Sequence, residues 1–218
     1  MNSYNPNTKF SSIDHMGRYS YKNQPIVAQW NIARFAETLL PLISTDLNKA
    51  IKKAEDVIKS IPETYKISWL NMMRNKLGLV DSDPEDENII NSLLSWMESE
   101  NADFTNTFLD LMNEENLNKS IYKSNKFINW FEIYKKRKFS KNFSKSKSFK
   151  LMRENNPVVI PRNNIVEDIL ASADKGDLTP LKKFLKIIKN PYGKNLKISD
   201  YYKTDIISDE PYITFCGT

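Results

Sequence analysis

Apolar residues recur every three and four positions along most of this chain, and that spacing constrains the fold more than any other feature. In the first such stretch Trp30, Phe35 and Leu39 lie on the apolar face of a helix, so we predict that all three are buried. Only residues 158–160 and 212–215 have β-like content. The sequence therefore predicts an all-α fold.

Two prolines and one glycine set the predicted ends of the first helices. Pro41 is predicted to bend or end the first helix and Pro62 to interrupt the next, because proline lacks the amide hydrogen that a helix interior uses. Gly78 is a predicted stop signal. The helices after the first are predicted at about residues 47–58, 63–77, 89–97, 103–112, 127–134, 149–152, 162–173 and 179–188.

Loop-like composition marks both ends of the chain. Residues 1–24 are rich in turn-forming residues and have no helical period, so an irregular N-terminal loop is predicted there. Residues 25–218 are predicted to form one helical domain with a basic loop at 135–150 and an irregular tail. Within that domain Trp96 and Met97 are predicted to be buried.

Glycine, histidine and cysteine are scarce, and their scarcity excludes several kinds of site. The chain has 218 residues with 5 Gly, 1 Cys and 1 His, and the two nearest glycines are Gly176 and Gly193. Phosphate-binding loops of the Walker, dinucleotide and kinase types need closely spaced glycines, so they are excluded. A Cys/His zinc site and an intrachain disulfide are excluded as well.

An acidic stretch resembles the start of a calcium-binding loop but departs from it. Asp81, Asp83 and Glu85 have the right spacing. The sixth position is Asp86, where glycine is needed, and the twelfth is Ser92, where glutamate is needed. We favour a solvated turn whose acids complement a helix N-terminus.

Two single residues are weak candidates for chemistry. His15 follows Asp14, and such a pair could orient an imidazole as a general base, although a histidine that packs within a loop is the favoured interpretation. Cys216 is the third residue from the end. A plain thiol is favoured there, with a redox-active tail thiol as the alternative.

The segment 123–150 combines basic and aromatic residues, which is a pattern typical of nucleic-acid binding. The net charge of +5 agrees weakly with an anionic partner. However, four aromatic residues lie at helical spacing, which predicts a core: Phe127, Trp130, Phe131 and Tyr134. A solvated basic surface is therefore favoured, and nucleic acid is the minor alternative. The sequence has neither a membrane-spanning apolar stretch nor a signal-peptide core, so no membrane association and a cytoplasmic location are expected.

One long string and several shorter ones carry a family resemblance. The long string is DHMGRYSYKNQP, from Asp14 to Pro25. The shorter strings are 4–6 (YNP), 29–36 (QWNIARFA), 73–79 (MRNKLGL), 103–108 (DFTNTF), 156–163 (NPVVIPRN), 176–178 (GDL), 190–192 (NPY) and 215–218 (FCGT). Together, and in this order, they resemble the C-terminal half of the selenoprotein O family, also called the YdiU family.

The resemblance implies the C-terminal helical lobe of a protein-kinase-like fold. Members of the family transfer AMP from ATP to hydroxyl groups of Ser, Thr or Tyr in proteins, with Mg or Mn. It further implies that the nucleotide-binding lobe, the catalytic residues and the metal ligands precede this chain. Residues 1–6 match only the end of the family's metal motif, and Asn2 stands where Asp is usual. We therefore expect no catalytic, cofactor-binding or metal-binding residue in this chain, and no cofactor for the chain alone.

The resemblance also bears on the C-terminal thiol. Cys216 matches the position of a redox-active Cys or selenocysteine in the family. Some members pair that residue with a cysteine in the loop before the Asp14 position, where this chain has Phe10 and no second cysteine. An intrachain redox switch is therefore not expected.

Three functional hypotheses follow. The first is a truncated C-terminal part of a protein adenylyltransferase that is inactive alone. The second is one chain of a split enzyme, completed in trans by an N-terminal nucleotide-binding lobe that acts on protein substrates. The third is a basic nucleic-acid-binding protein. Under the first two, apolar surface should be uncovered near the N-terminal loop and the first helix.

Overall fold

The structure, a computed structural model, describes residues 2–139 and 144–192, and its regular secondary structure in these ranges is helical. Its eight described α-helices are α1 (Gln24–Ile43), α2 (Leu47–Leu77), α3 (Asp86–Ser99), α4 (Phe104–Asp110), α5 (Asn125–Lys138), α6 (Lys145–Asn155), α7 (Asn163–Asp174) and α8 (Thr179–Ile188). Short 3₁₀ helices lie at Tyr21–Asn23, Glu114–Asn118 and Ser120–Lys123. Among the described residues the β-pairing recorded is one isolated bridge, between Ser3 and Asp103. The predicted all-α fold is confirmed.

The described residues divide into two compact units. The first, which we call the C-unit, comprises residues 2–5, 72–139 and 144–192. The second, the N-unit, comprises residues 6–71 and contains α1 and most of α2. The basic residues predicted as a loop at 135–150 lie largely in helices, because 135–138 close α5 and 145–150 begin α6.

A single helix, α2, replaces the two helices predicted on either side of Pro62, so the predicted interruption is wrong. Pro62 lies inside α2, and its missing amide leaves the carbonyl of Ile58 without its usual helical donor. The side-chain amide of Gln29 donates to that carbonyl at 3.1 Å. A hydrogen bond from α1 therefore replaces the one that proline removes. Pro41 likewise lies inside α1, which continues to Ile43.

The end of α2 follows the sequence prediction. Gly78 has φ of +70°, and the amide of Leu79 donates to the carbonyl of Arg74 at 3.0 Å, as in a glycine-terminated helix end. The glycine is also enclosed. An added Cβ would lie 2.5 Å from Oγ of Ser148 and 2.8 Å from Cγ of Met152. Both the backbone conformation and the packing therefore require glycine.

The core of the C-unit is built mainly by α3 and α5. Trp96 and Met97 are buried as predicted, and so are Phe127, Trp130 and Tyr134 on α5. Phe131, which was predicted with them, is only partly buried. The aromatic rings form a continuous series with centroid distances of 4.7–5.6 Å: Tyr122, Trp96, Phe127, Trp130 and Tyr134. A smaller cluster joins α7 and α8 through Val159, Ile165, Ile169 and Phe184. Both groups bury apolar surface, which is the main favourable term in folding.

Helix α1 differs from the core helices, and here the burial predictions are wrong. Trp30 is 50% exposed and Phe35 is 62% exposed, while Leu39 is half-buried. No residue of α1 is buried. The apolar period that predicts a helix is correct, but the described residues of the N-unit do not cover the apolar face.

Replacing Gly78 tests the helix end. We expect Gly78→Ala to lower the free energy of unfolding by about 2 kcal/mol or more, since it combines a strained backbone with a steric overlap. The matched control is Gly176→Ala. Gly176 also has a positive φ, of +87°, but nothing lies within 4 Å of its added Cβ. Equal losses in urea denaturation for the two variants would contradict the role of Ser148 and Met152.

A double-mutant cycle tests the hydrogen bond across Pro62. We expect Gln29→Ala to cost about 1 kcal/mol, because it leaves the Ile58 carbonyl without a donor. In a Pro62→Ala background the restored amide of residue 62 bonds that carbonyl, and the cost of Gln29→Ala should fall close to zero. Urea denaturation of the four proteins measures the coupling. Additive effects would show that Gln29 does not compensate for the proline.

Candidate functional site

The buried carboxylate of Asp86 is the charge centre of the C-unit. Its side chain is 1% exposed, at the first position of α3. Arg137 at the end of α5 donates to it from Nε at 2.7 Å and from Nη2 at 3.2 Å. Arg74 near the end of α2 lies 3.8 Å away. Because a buried charge is costly unless it is paired and hydrogen-bonded, this cluster fixes three helix ends together.

The burial of Asp86 could have been predicted from its spacing to apolar residues. As part of a calcium-binding loop, the same residue is only a mismatch. Its spacing to Ile90, Leu93 and Met97 is four, seven and eleven residues, which places it on the buried face of α3. A carboxylate on an apolar face requires a cationic partner, and the sequence did not indicate which arginine supplies it.

The acidic residues before α3 stabilise a turn. The carboxylate of Asp83 accepts a hydrogen bond from the amide of Glu85 at 2.9 Å, and that of Glu85 accepts from the side chain of Asn88 at 2.9 Å. The carbonyl of Asp81 accepts from Arg137. In the part of the chain that the structure describes, no three His, Cys, Asp or Glu side chains are grouped to hold a metal.

A buried lysine and tyrosine lie next to this charge centre. Lys76 is 8% exposed, and its amine donates to the carbonyl of Asn155 at 3.1 Å and lies 4.8 Å from the ring of Phe108. Burial lowers the pKa of Lys76 to about 8. The hydroxyl of Tyr134 donates to the carbonyl of Leu77 at 2.8 Å, and burial raises its pKa. Lys76 binds a backbone carbonyl at the end of α6 and Tyr134 binds one at the end of α2, so their described role is structural.

The Asp14–His15 pair does not form a catalytic dyad in the N-unit. Both carboxylate oxygens of Asp14 accept backbone hydrogen bonds, from Arg18 at 2.8 Å and Tyr19 at 2.9 Å. Gly17 lies in the same turn with φ of +67°, and His15 is exposed. The carboxylate therefore organises the turn and does not orient the imidazole.

The N-terminal residues join the C-unit through a short clamp. The amide of Tyr4 donates to the carbonyl of Ala102 at 3.0 Å, and the amide of Phe104 donates to the carbonyl of Asn2 at 2.8 Å. The rings of Tyr4 and Phe104 stack at 5.9 Å. Asp103 lies between Ala102 and Phe104 in the sequence. It also caps α4, since its side chain accepts a hydrogen bond from the amide of Asn106 at 2.7 Å.

Arg162 closes this clamp from a distant part of the sequence. Its side chain is 1% exposed. One of its terminal nitrogens, Nη1, lies 2.7 Å from Oδ2 of Asp103 and donates to Oδ1 of Asn2 at 3.0 Å. Its Nε and Oδ2 of Asp103 are both buried without a hydrogen-bond partner, so the contact between Arg162 and Asp103 is an ion pair rather than a hydrogen bond. Nothing in the local sequence pattern pointed to a pairing across 160 residues.

The remaining predicted candidates are not assembled into a site. Cys216 lies outside the described residues. In the basic segment Phe127, Trp130 and Tyr134 are buried and are not available to stack on bases, whereas Phe139 and Phe149 are 52% and 45% exposed. A groove of about 660 Å³ between α3 and α5 is lined by polar residues and by Trp96 and Trp130, and both indole nitrogens already donate within the protein.

The described residues define an all-α class of protein, in which buried ion pairs join the ends of helices. A sequence model of the family described as protein adenylyltransferase SelO matches residues 1–189. The chain belongs to the SelO family. No helix in the described residues has the length and apolar content to cross a membrane.

Relatives described as protein nucleotidyltransferase YdiU match over the whole chain. That of Pelagibacter ubique is 47% identical over 218 residues, which is 100% of this chain and 45% of the relative. That of Clostridium perfringens strain SM101 is 44% identical over 218 residues, with 44% of its length covered. That of Bacillus mycoides is 42% identical over 219 residues, with 45% covered. The chain spans a little under half the length of these relatives.

Removing the charge of Asp86 tests its role as the centre of the C-unit. We expect Asp86→Asn to cost about 3–5 kcal/mol of unfolding free energy, because it leaves the half-buried cations of Arg137 and Arg74 without their carboxylate. The control is Glu37→Gln, which breaks an exposed ion pair with Arg34 and should cost less than about 1 kcal/mol. Similar losses in urea denaturation would contradict this role.

The pH dependence of stability tests Lys76. Its pKa is about 8 in the folded protein and about 10.4 when unfolded, so between these values the unfolded state binds more protons. Stability should therefore rise with pH in that window. The variant Lys76→Met lacks this titration. Relative to it, we expect the free energy of unfolding of the wild type to rise by up to about 3 kcal/mol across the window. Urea denaturation across the window measures the difference, and a flat or falling difference would contradict it.

Proposed function

We propose that this chain is the helical C-terminal part of a SelO-type protein adenylyltransferase and is inactive alone. In this proposal it forms the C-terminal lobe of a protein-kinase-like fold, and a nucleotide-binding part outside it completes the enzyme. The family membership and the coverage of about 45% of the relatives' length support this. The AMP donor is ATP with Mg or Mn, and the acceptors are hydroxyl groups of proteins.

The observation that carries the proposal is the set of exposed apolar side chains on α1. Trp30 and Phe35 are exposed, and so are Ile26, Ile32 and Leu42 on the same helix. A 20-residue helix with no buried residue gains little stability from its own unit. Large apolar side chains exposed together on one helix are typical of an interface, and the nucleotide-binding part outside this chain is the proposed occupant.

The described residues do not themselves fit a nucleotide or a metal. In the ranges 2–139 and 144–192 no metal-ligating cluster is present, and Gly17, Gly78 and Gly176 are too far apart in sequence to form a phosphate-binding loop. We therefore assign nucleotide and metal binding to the part of the enzyme outside this chain. This chain supports that part and helps present the protein substrate.

Nucleic-acid binding is the weaker alternative. It rests on the positive charge of the segment 123–150 and on two exposed rings there, Phe139 and Phe149. The regularly spaced rings of Phe127, Trp130 and Tyr134 are buried and cannot stack on bases. Salt-dependent binding to DNA of random sequence would favour this alternative.

The first test is nucleotide binding by the chain alone. We expect no heat of binding in calorimetry with ATP and magnesium, since the phosphate-binding and metal-binding groups lie outside it. A micromolar dissociation constant would show that the chain carries its own nucleotide site and would overturn the proposal.

The second test is reconstitution with the N-terminal half of the Clostridium perfringens relative. Co-expression should give a complex in sizing chromatography and transfer of labelled AMP to protein. Phe35→Ser should weaken the complex at least about tenfold, because it removes apolar area from the interface. Leu170→Ser is the matched control, as Leu170 is a 46% exposed apolar residue of the C-unit. A monodisperse chain that gains neither partner nor activity would favour an inert remnant.

A further inference from the structure

The segment Asn2–Tyr4 is held to the rest of the C-unit by backbone and side-chain contacts, which together we call the clamp. Here Tyr4 is 8% exposed, and backbone hydrogen bonds on both sides of Ser3 hold the segment Asn2–Tyr4 to residues 102–104. A buried arginine adds a third contact.

Arg162 links both segments of the clamp through its side chain. Burying a guanidinium is costly unless it is paired, and Asp103 supplies the carboxylate at 2.7 Å. The same nitrogen, Nη1, binds the side chain of Asn2. Arg162 therefore couples the start of α7 to the start of α4 and to the first residues described. Displacing Asn2 would leave this nitrogen with one partner fewer in a site that excludes water.

We propose that Arg162 and Asp103 are positioning residues that hold the segment Asn2–Tyr4 against the start of α4. The proposal rests on the proposed function, because AMP transfer by the reconstituted enzyme is the activity that this positioning would serve. An aspartate at position 2 would bring a second carboxylate to Arg162. Moving the negative charge between positions 2 and 103 should therefore preserve the clamp.

Amide hydrogen exchange of the full chain tests the clamp directly. We expect Arg162→Lys to accelerate exchange at the amides of Tyr4 and Phe104 about tenfold or more, since the lysine amine ends one bond short of the position of Nη1. Asp103→Asn should have a similar effect. It keeps the helix cap, because asparagine caps as well as aspartate, and it removes only the charge.

Two further variants separate positioning from stability. The double variant Asn2→Asp with Asp103→Asn restores a carboxylate to Arg162 and should return exchange at both amides to within about threefold of the wild type. The matched control is Arg137→Lys. This variant weakens the buried ion pair with Asp86. Exchange should therefore accelerate more at the amide of Tyr134 than at the amides of Tyr4 and Phe104.

The outcomes decide the proposal. Unchanged exchange in Arg162→Lys overturns it, as does failure of the double variant to recover, or equal acceleration in Arg137→Lys. In the reconstituted complex, Arg162→Lys should also lower AMP transfer at least about tenfold more than Arg137→Lys, and an equal loss overturns the positioning role. If the wild-type complex transfers no AMP, the proposed function fails, and the exchange measurements still decide the clamp.

Discussion

Much of the C-unit depends on the carboxylate of Asp86. The amphipathic period of α3 and α5 explains why each helix buries a face, but it does not set how the helices meet. The contacts from Arg137 and Arg74 bring the ends of α5 and α2 to the start of α3. Because an unpaired charge would be so costly there, alternative registers of these helices are disfavoured. The aromatic series from Tyr122 to Tyr134 packs within this frame.

The N-unit has no comparable core. Its α1 has an apolar face but no buried residue, and the loop before it is organised by polar turns around Asp14. The contact of α1 with α2 includes the bond from Gln29 to Ile58, which compensates for Pro62. In our account, polar groups satisfy the backbone hydrogen bonds of this unit. Its exposed apolar side chains are proposed to contact the remainder of a SelO-type enzyme.

The sequence predicted features that depend on local pattern. The all-α class, the burial of Trp96 and Met97 and the glycine stop at Gly78 follow from period and backbone conformation, and the family resemblance follows from strings of residues. Features that depend on distant partners were missed. A period cannot show whether the surface that covers Trp30 belongs to the same chain, so its burial was wrongly predicted.

The same limit explains the other errors. Pro62 breaks a helix in isolation, but Gln29 supplies the missing donor from another helix. Asp86 carried a signal in its spacing, whereas its pairing with Arg137 spans 51 residues and that of Arg162 with Asn2 spans 160. Charge pairs at such separations leave no periodic trace in a single sequence. Cys216 lies outside the described residues, so the redox role suggested for it stays a prediction.

The central claim is that the apolar face of α1 is an interface in the complete enzyme. Thiol labelling tests it most directly, with Phe35→Cys and, as a buried reference, Leu93→Cys, each in a Cys216→Ser background. In the chain alone residue 35 should react rapidly and residue 93 slowly, as their exposures of 62% and 0% require. With the nucleotide-binding half of a relative added, residue 35 should become at least about tenfold less reactive. Slow labelling of residue 35 in the chain alone, or unchanged labelling in the complex, would contradict the claim.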